Sequence, residues 1–447
     1  MHSLQRIVWM LTLTVAPCAA VNAGAGGPVR PLAQNYVTVA HSDNPLQNPL
    51  YSPSMLTLAP HKLLVSYTEE WKKGGEGTDA QVFKLSTDGG QTWKEVSRIE
   101  KIGMQGRVFR AGIDGHTLYY IAPGAGLPIY RSTDEARTWT GPVFLTDKKE
   151  MWHQTAANVW YDKGNVYLAM DKKMGDMNAW AVAERAPVLL RAKITDNLLK
   201  PSSWIFASAV NFADIIPGFR ENKPDMDWFG IPFYPQDYPN RKLILKNPRK
   251  TFSPMGWCET NVVQILDPNH YWYDPAHKTY HLFMRFQSGT TNMASVMKVV
   301  EKDDGTMVTE FQEAPSGVKQ LFLPMPGGQM RFHLLYDAQT KTYWLLSSQT
   351  TDSMSRPETL EPDRFDLAYQ ERNRLVLYFS KNMVDWCFAG VVSIGGGNRE
   401  SRHYAAMDFD GDDIVILSRS GDENSHSAHE TNLITFHRVK NFRDLIY

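Results

Sequence analysis

The sequence predicts an all-β chain folded as a six-bladed β-propeller, and three observations carry that prediction. A short, very apolar strand recurs six times, at Lys62–Tyr67, Thr117–Ile121, Asn165–Met170, Thr279–Met284, Thr342–Leu346 and Asp413–Leu417. Each is rich in β-branched, aromatic or aliphatic residues and bounded by turn residues. A further strand follows each of them, near Val82–Leu85, Ile129–Arg131, Leu189–Arg191, Val296–Val299, Leu375–Tyr378 and Leu433–Phe436. Helical periodicity is almost absent, so the repeat is one of antiparallel sheets, and radial repetition of small sheets makes a propeller.

Within each unit a more polar strand precedes the apolar one, beginning near Ser54, Arg107, His153, Glu259, Arg331 and His403. These are the expected inner strands. The sixth unit lacks a strand after Phe442, and Tyr36–Ala40 is expected to fill that place and close the ring. Closure by the N-terminal strand would remove an open sheet edge. Residues 205–256 form a long insertion with seven prolines, expected to stand as a rim wall over a central pocket.

The first residues have the pattern of a targeting segment. Arg6 precedes an apolar run, Ile7 to Ala20, too short to span a bilayer, and Val21-Asn22-Ala23 offers small residues for cleavage. The expected organisation is a signal peptide over 1–23 and one propeller domain over 24–447, secreted or periplasmic, acting as a monomer. Cys18 leaves with the signal, and Cys258 and Cys387 are expected to be free thiols, on strands too far apart to bridge.

Composition limits the function. Lys and Arg number 47 against 48 Asp and Glu, so binding of nucleic acid by bulk charge is excluded. Aromatic residues make up 12% of the 447, which suits strands and sugar-stacking surfaces alike. No metal and no cofactor is expected. Asp408-Phe-Asp410-Gly-Asp412-Asp413 has Arg419 where a calcium loop needs Glu, and reads as an Asp-Gly turn between strands. His426 and His429 have ligand spacing but no Cys nearby.

The sequence after the third strand of unit one is Ser86-Thr-Asp88-Gly-Gly90-Gln-Thr92-Trp93, and after that of unit two Ser132-Thr-Asp134-Glu-Ala136-Arg-Thr138-Trp139. A shortened copy, Ser380-Lys-Asn382 to Trp386, lies in unit five. These runs match the Asp box, S-x-D-x-G-x-T-W, a tight hairpin in which Asp accepts turn N–H bonds and Trp packs into the blade. With its six units the chain resembles the sialidase-like propellers over most of its mature length.

That resemblance implies a site. Asp79, in the loop after the second strand of unit one, looks like the family's acid/base Asp. Glu259 looks like the base on the inner strand of blade four, and Tyr404 like the nucleophile of blade six. Arg285 and Arg331 look like two of the three arginines that hold a carboxylate. The third, from an F/Y-R-I-P run, is missing: the chain has Tyr51-Ser52-Pro53-Ser54, and Arg107 or Arg110 is the expected partial substitute. A phenol is a poor nucleophile until a base takes its proton, which gives Glu259 its task beside Tyr404. The expected activity is that of a secreted glycoside hydrolase on a polar or anionic terminal sugar, with a glycan or polysaccharide as partner. Two other readings stay open. His153, His403 and Arg107, at the starts of inner strands, form a set suited to a polysaccharide lyase acting on uronic acids. A propeller of this kind can also bind glycans without catalysis.

Overall fold

Alternation of apolar and small polar residues along short runs, broken by Gly and Asp at the turns, produces a stack of antiparallel sheets. The computed structural model describes residues 30–72, 77–175, 182–221, 243–244, 251–252, 255–287, 291–356, 359 and 371–447. The expected targeting segment and most of the 205–256 insertion lie outside them. From Pro31 onward the described residues belong to one unit.

Six sheets are the blades of a β-propeller. Blade one runs Leu50–Ala59, Lys62–Glu69, Ala80–Ser86 and Lys94–Glu100 from inner to outer strand. Blade two runs Arg107–Arg110, Leu118–Ile121, Pro128–Ser132 and Thr140–Phe144. Blade three has a divided inner strand, Met151–Gln154 and Trp160–Asp162, then Asn165–Lys173, Arg185–Lys193 and Trp204–Phe206. Blade four runs Gly256–Val263, Thr279–Gln287, Met293–Glu301 and Met307–Glu310, and blade five His333–Asp337, Thr342–Ser348, Arg374–Ser380 and Cys387–Ile394. Blade six runs Arg402–Asp410, Asp413–Ser420 and Leu433–Val439, and its outer strand is Val37–His41 from the other end of the chain. Val37 lies opposite Phe436 and His41 opposite Leu433, so the N-terminal strand closes the ring.

A hydrogen bond crosses each blade junction. Val108 N–H donates to Ser54 Oγ (3.4 Å), Tyr161 O–H to the Arg110 carbonyl (2.9 Å) and Asn158 Nδ2 to the Val262 carbonyl (2.9 Å). Asn261 Nδ2 donates to the Phe332 carbonyl (3.1 Å), Met407 N–H to His333 Nδ1 (3.1 Å) and Thr57 N–H to Asp408 Oδ2 (2.7 Å). Apolar clusters fill the wedges between blades; one packs Leu63, Val65 and Val82 of blade one against Leu417 and Phe436 of blade six. The described start of the insertion is part of this packing and not of a rim: Trp204–Phe206 is blade three's outer strand, and the buried Phe212 meets Trp257 at 5.3 Å.

The two Asp-containing turns share one bonding scheme. Ser86 Oγ accepts from Gly90 N–H at 2.8 Å and Asp88 Oδ1 from Thr92 N–H at 3.0 Å. Ser132 Oγ accepts from Ala136 N–H at 2.9 Å and Asp134 Oδ1 from Thr138 N–H at 2.9 Å. In the shortened copy Asn382 Oδ1 accepts from Val384 N–H at 3.0 Å. Trp93 is half-buried against Phe436, so it is not the fully buried aromatic that the motif suggests. Cys258 and Cys387 are free.

Candidate active site

An inner strand that ran straight would alternate its side chains between the two faces of its blade. Four inner strands break register instead: that of blade three between Trp152 and Gln154, and three others between Tyr51 and Ser54, Cys258 and Asn261, and His403 and Ala406. At each of these last three breaks one non-glycine residue takes a left-handed backbone: Ser52 (φ 47°), Glu259 (φ 59°) and Tyr404 (φ 48°). Such a conformation costs about 1–3 kcal/mol and persists only where the surroundings over-determine it. A bulge of this kind re-aims a side chain. Here two of the three aimed residues are the expected base and nucleophile.

The two are joined by one nitrogen. Arg285 Nη1 donates to Tyr404 Oη at 2.7 Å and to Glu259 Oε2 at 3.2 Å. Arg285 is itself fixed by Nε, which donates to the Gln329 carbonyl at 2.8 Å. The strained Glu259 backbone is held from blade three: its N–H donates to Asp171 Oδ2 at 2.8 Å, and Thr260 Oγ1 donates to Asp171 Oδ1 at 3.0 Å. Burial raises the Asp171 carboxyl to about 7.

Two more guanidiniums approach the Tyr404 ring, Arg372 and Arg419, both with Cζ 5.3 Å from its centroid. Arg372 also hydrogen-bonds the phenol, and its Nη1 donates to His403 Nδ1 at 3.2 Å. Arg419 lies over the Tyr51 ring at 3.9 Å and donates through Nη2 to the His429 carbonyl. Burial lowers Arg419 to about 10, which still leaves it cationic at neutral pH. With Arg285, three positive charges converge on Tyr404. Neither Arg372 nor Arg419 was expected from the sequence. Arg419 pairs directly with His403 across the blade-six hairpin, and strand register was the one available signal for it.

Of the remaining expected residues, Arg331 and His403 lie at the Glu259 and Tyr404 pair and the others away from it. Asp79 is half-buried on the loop after blade one's second strand, where its Oδ1 accepts from Trp71 N–H at 2.6 Å. Glu70, from the same loop, pairs with Lys72 at 2.8 Å and exerts its charge on Tyr51 and Arg419. Arg331 is buried and close enough to Glu259 and Tyr404 to feel both electrostatically. Arg110 does not replace the missing arginine, because its Nη2 donates to the Thr57 and Leu58 carbonyls at 2.9 Å. Arg107 is buried with Nη2 2.9 Å from His333 Nε2. Of the lyase set, His153 meets Arg185 at 2.6 Å and Arg107 meets His333, whereas His403 lies in the site, its ring 4.9 Å from that of Tyr404 and its Nδ1 3.2 Å from Arg372. His429 faces Arg419, and no group of three metal-ligating side chains occurs among the described residues.

No family model matches the chain, and no curated protein matches it. Solved structures do. A Trypanosoma rangeli sialidase in complex with sialic acid is 13% identical with a TM-score of 0.50, over 93% of this chain and 60% of that one. A mutant of the Trypanosoma rangeli sialidase displaying trans-sialidase activity is 12% identical with a TM-score of 0.51, over the same shares, 93% and 60%. A protein of unknown function from Dyadobacter fermentans is 12% identical with a TM-score of 0.50, over 92% of this chain and 99% of that one. At these identities the likeness is one of fold: the chain is a sialidase-like six-bladed β-propeller.

Proposed function

We propose that the protein is a glycoside hydrolase that removes a terminal sugar carrying an anionic group, with Tyr404 as nucleophile and Glu259 as its base. The single observation that supports this most is the sharing of Arg285 Nη1 by the Tyr404 phenol and the Glu259 carboxylate, both set on strained bulges. Glu259 takes the phenol proton, the phenolate oxygen attacks the anomeric carbon, and the glycosidic oxygen leaves with a proton from an acid. Asp79 is the proposed acid, at the end of blade one that carries Ser52 and the start of its inner strand. Water then cleaves the tyrosyl–sugar bond. Arg285, Arg372 and Arg419 supply the forked donors that an anionic sugar group requires. A tyrosine nucleophile places no second formal negative charge against such a sugar. The tyrosine scheme is a known departure from two-carboxylate glycosidases.

The test is digestion of a panel of glycans ending in sialic acid, uronic acids or neutral sugars. Reducing-sugar release without ultraviolet absorbance from an unsaturated uronate is the expected result. Tyr404→Phe and Glu259→Gln should each abolish it, and the double variant should be scarcely worse than either, since residues acting as a unit are not additive. An unsaturated product, or near wild-type turnover by Tyr404→Phe, would overturn the proposal.

A further inference from the structure

We propose that a small monovalent anion, of the size and charge of chloride, occupies the propeller channel beside Arg107, Arg331 and His333. Arg107 starts the inner strand of blade two, and His333 that of blade five, its opposite in a ring of six. The Arg107 side chain therefore crosses the axis, bringing Nη2 to 2.9 Å from His333 Nε2. The imidazole Nδ1 already accepts the Met407 N–H at 3.1 Å. A neutral imidazole with that nitrogen as acceptor carries its hydrogen on Nε2. Burial, with the charges of Arg107 and Arg331, keeps His333 neutral. Two N–H donors then face each other with no acceptor between them.

The surroundings add donors, and the carboxylates within electrostatic reach, Asp408 for Arg107 and Glu259 for Arg331, touch neither guanidinium. Arg107 Nε and Nη1 are buried and have no hydrogen-bond partner among the described residues. The Arg331 guanidinium stands near enough to repel Arg107. Arg107 and Arg331 are each 5% exposed, and neither is paired with a described carboxylate within salt-bridge distance. Asp408 and the Tyr161 phenol are the other groups that face Arg107. Asp408 is committed elsewhere, its oxygens accepting from Thr57 N–H at 2.7 Å and Phe409 N–H at 2.9 Å. Two desolvated cations of like sign are costly without a counter-charge in direct contact. A water molecule would accept the hydrogen bonds but leave the charges; a halide does both. With Arg107 Nη2 and His333 Nε2 only 2.9 Å apart, the ion sits beside that pair, on the open donors Nε and Nη1 of Arg107.

Crystals grown with sodium bromide, measured at the bromine edge, should show an anomalous peak within hydrogen-bonding reach of Arg107 and His333. Tm in sodium chloride should exceed that in sodium gluconate of equal ionic strength by about 2–3 °C when salt is roughly a hundredfold above Kd. Arg107→Met should erase that difference. The idea fails if no bromide peak lies in the channel, if wild-type Tm is equal in both salts, or if Arg107→Met keeps the halide effect. Should the variant not fold, the bromide map of the wild-type protein decides alone.

Discussion

Asp171 ends the deeply buried part of blade three's second strand and accepts the Glu259 N–H, so an acid outside the reacting pair fixes the backbone of the base. Its carboxyl is raised by burial to about 7, against about 3.9 for an exposed Asp. Between those values the unfolded chain has released the proton and the folded chain has kept it. Stability from this group therefore falls as pH rises from about 4 to about 7 and is level above. Asp171→Asn keeps an acceptor for Glu259 N–H and removes the titration. Its denaturation midpoint should vary less than that of the wild type across pH 4–7; parallel curves would show that Asp171 does not titrate there. At this scale the sequence was legible in part. Glu259 and Tyr404 lie next to apolar runs whose register could be counted, and the structure places both on one Arg285 nitrogen. Arg372 and Arg419 were not legible. Arg372 precedes a strand and Arg419 ends one, and only the closed ring brings both to the Tyr404 ring.

Among the elements, the Asp turns show how little room the hairpin allows. Gly89 and Gly90 have φ of 74° and 93°, and the matching Glu135 and Ala136 hold 60° and 65° despite their side chains. The motif could be read because these bonds are local in sequence. The second turn's tolerance of Ala136 could not, because it depends on what packs above it. A Cβ on Gly90 would lie 2.2 Å from the Phe436 ring. Gly90→Ala should thus lower stability by about 1–3 kcal/mol, the usual range for overpacking. A Tm equal to that of the wild type would mean that Phe436 moves aside freely. The same logic limits Trp93: half-buried, its removal should cost less than the ~3–5 kcal/mol of a fully buried aromatic such as Trp257.

For the whole molecule, the inner-strand bonds run through all six junctions, so the blades brace one another around the channel. The number of blades was legible from the repeat, and closure by the first strand from the absence of a last one. Deleting residues through His41 removes the partner of Leu433–Val439 and leaves an edge of unpaired N–H and C=O groups. The shortened chain should melt lower and self-associate, measured by differential scanning fluorimetry and size-exclusion chromatography. A monomer of unchanged Tm would show that the strand is dispensable.

The shared sheet of blade six also sets an order of events. Val37–His41 leaves the ribosome long before its partner Leu433–Val439. Until then the seam between first and last blades has no second half. Loop-closure entropy for contacts so distant in sequence is met before they give anything back, which disfavours early formation of this seam. Blades two to five can form hairpin by hairpin while the chain grows, but the site draws Tyr404 and Arg419 from the blade that is finished last. A nascent chain is therefore without its assembled site until blade six has been made.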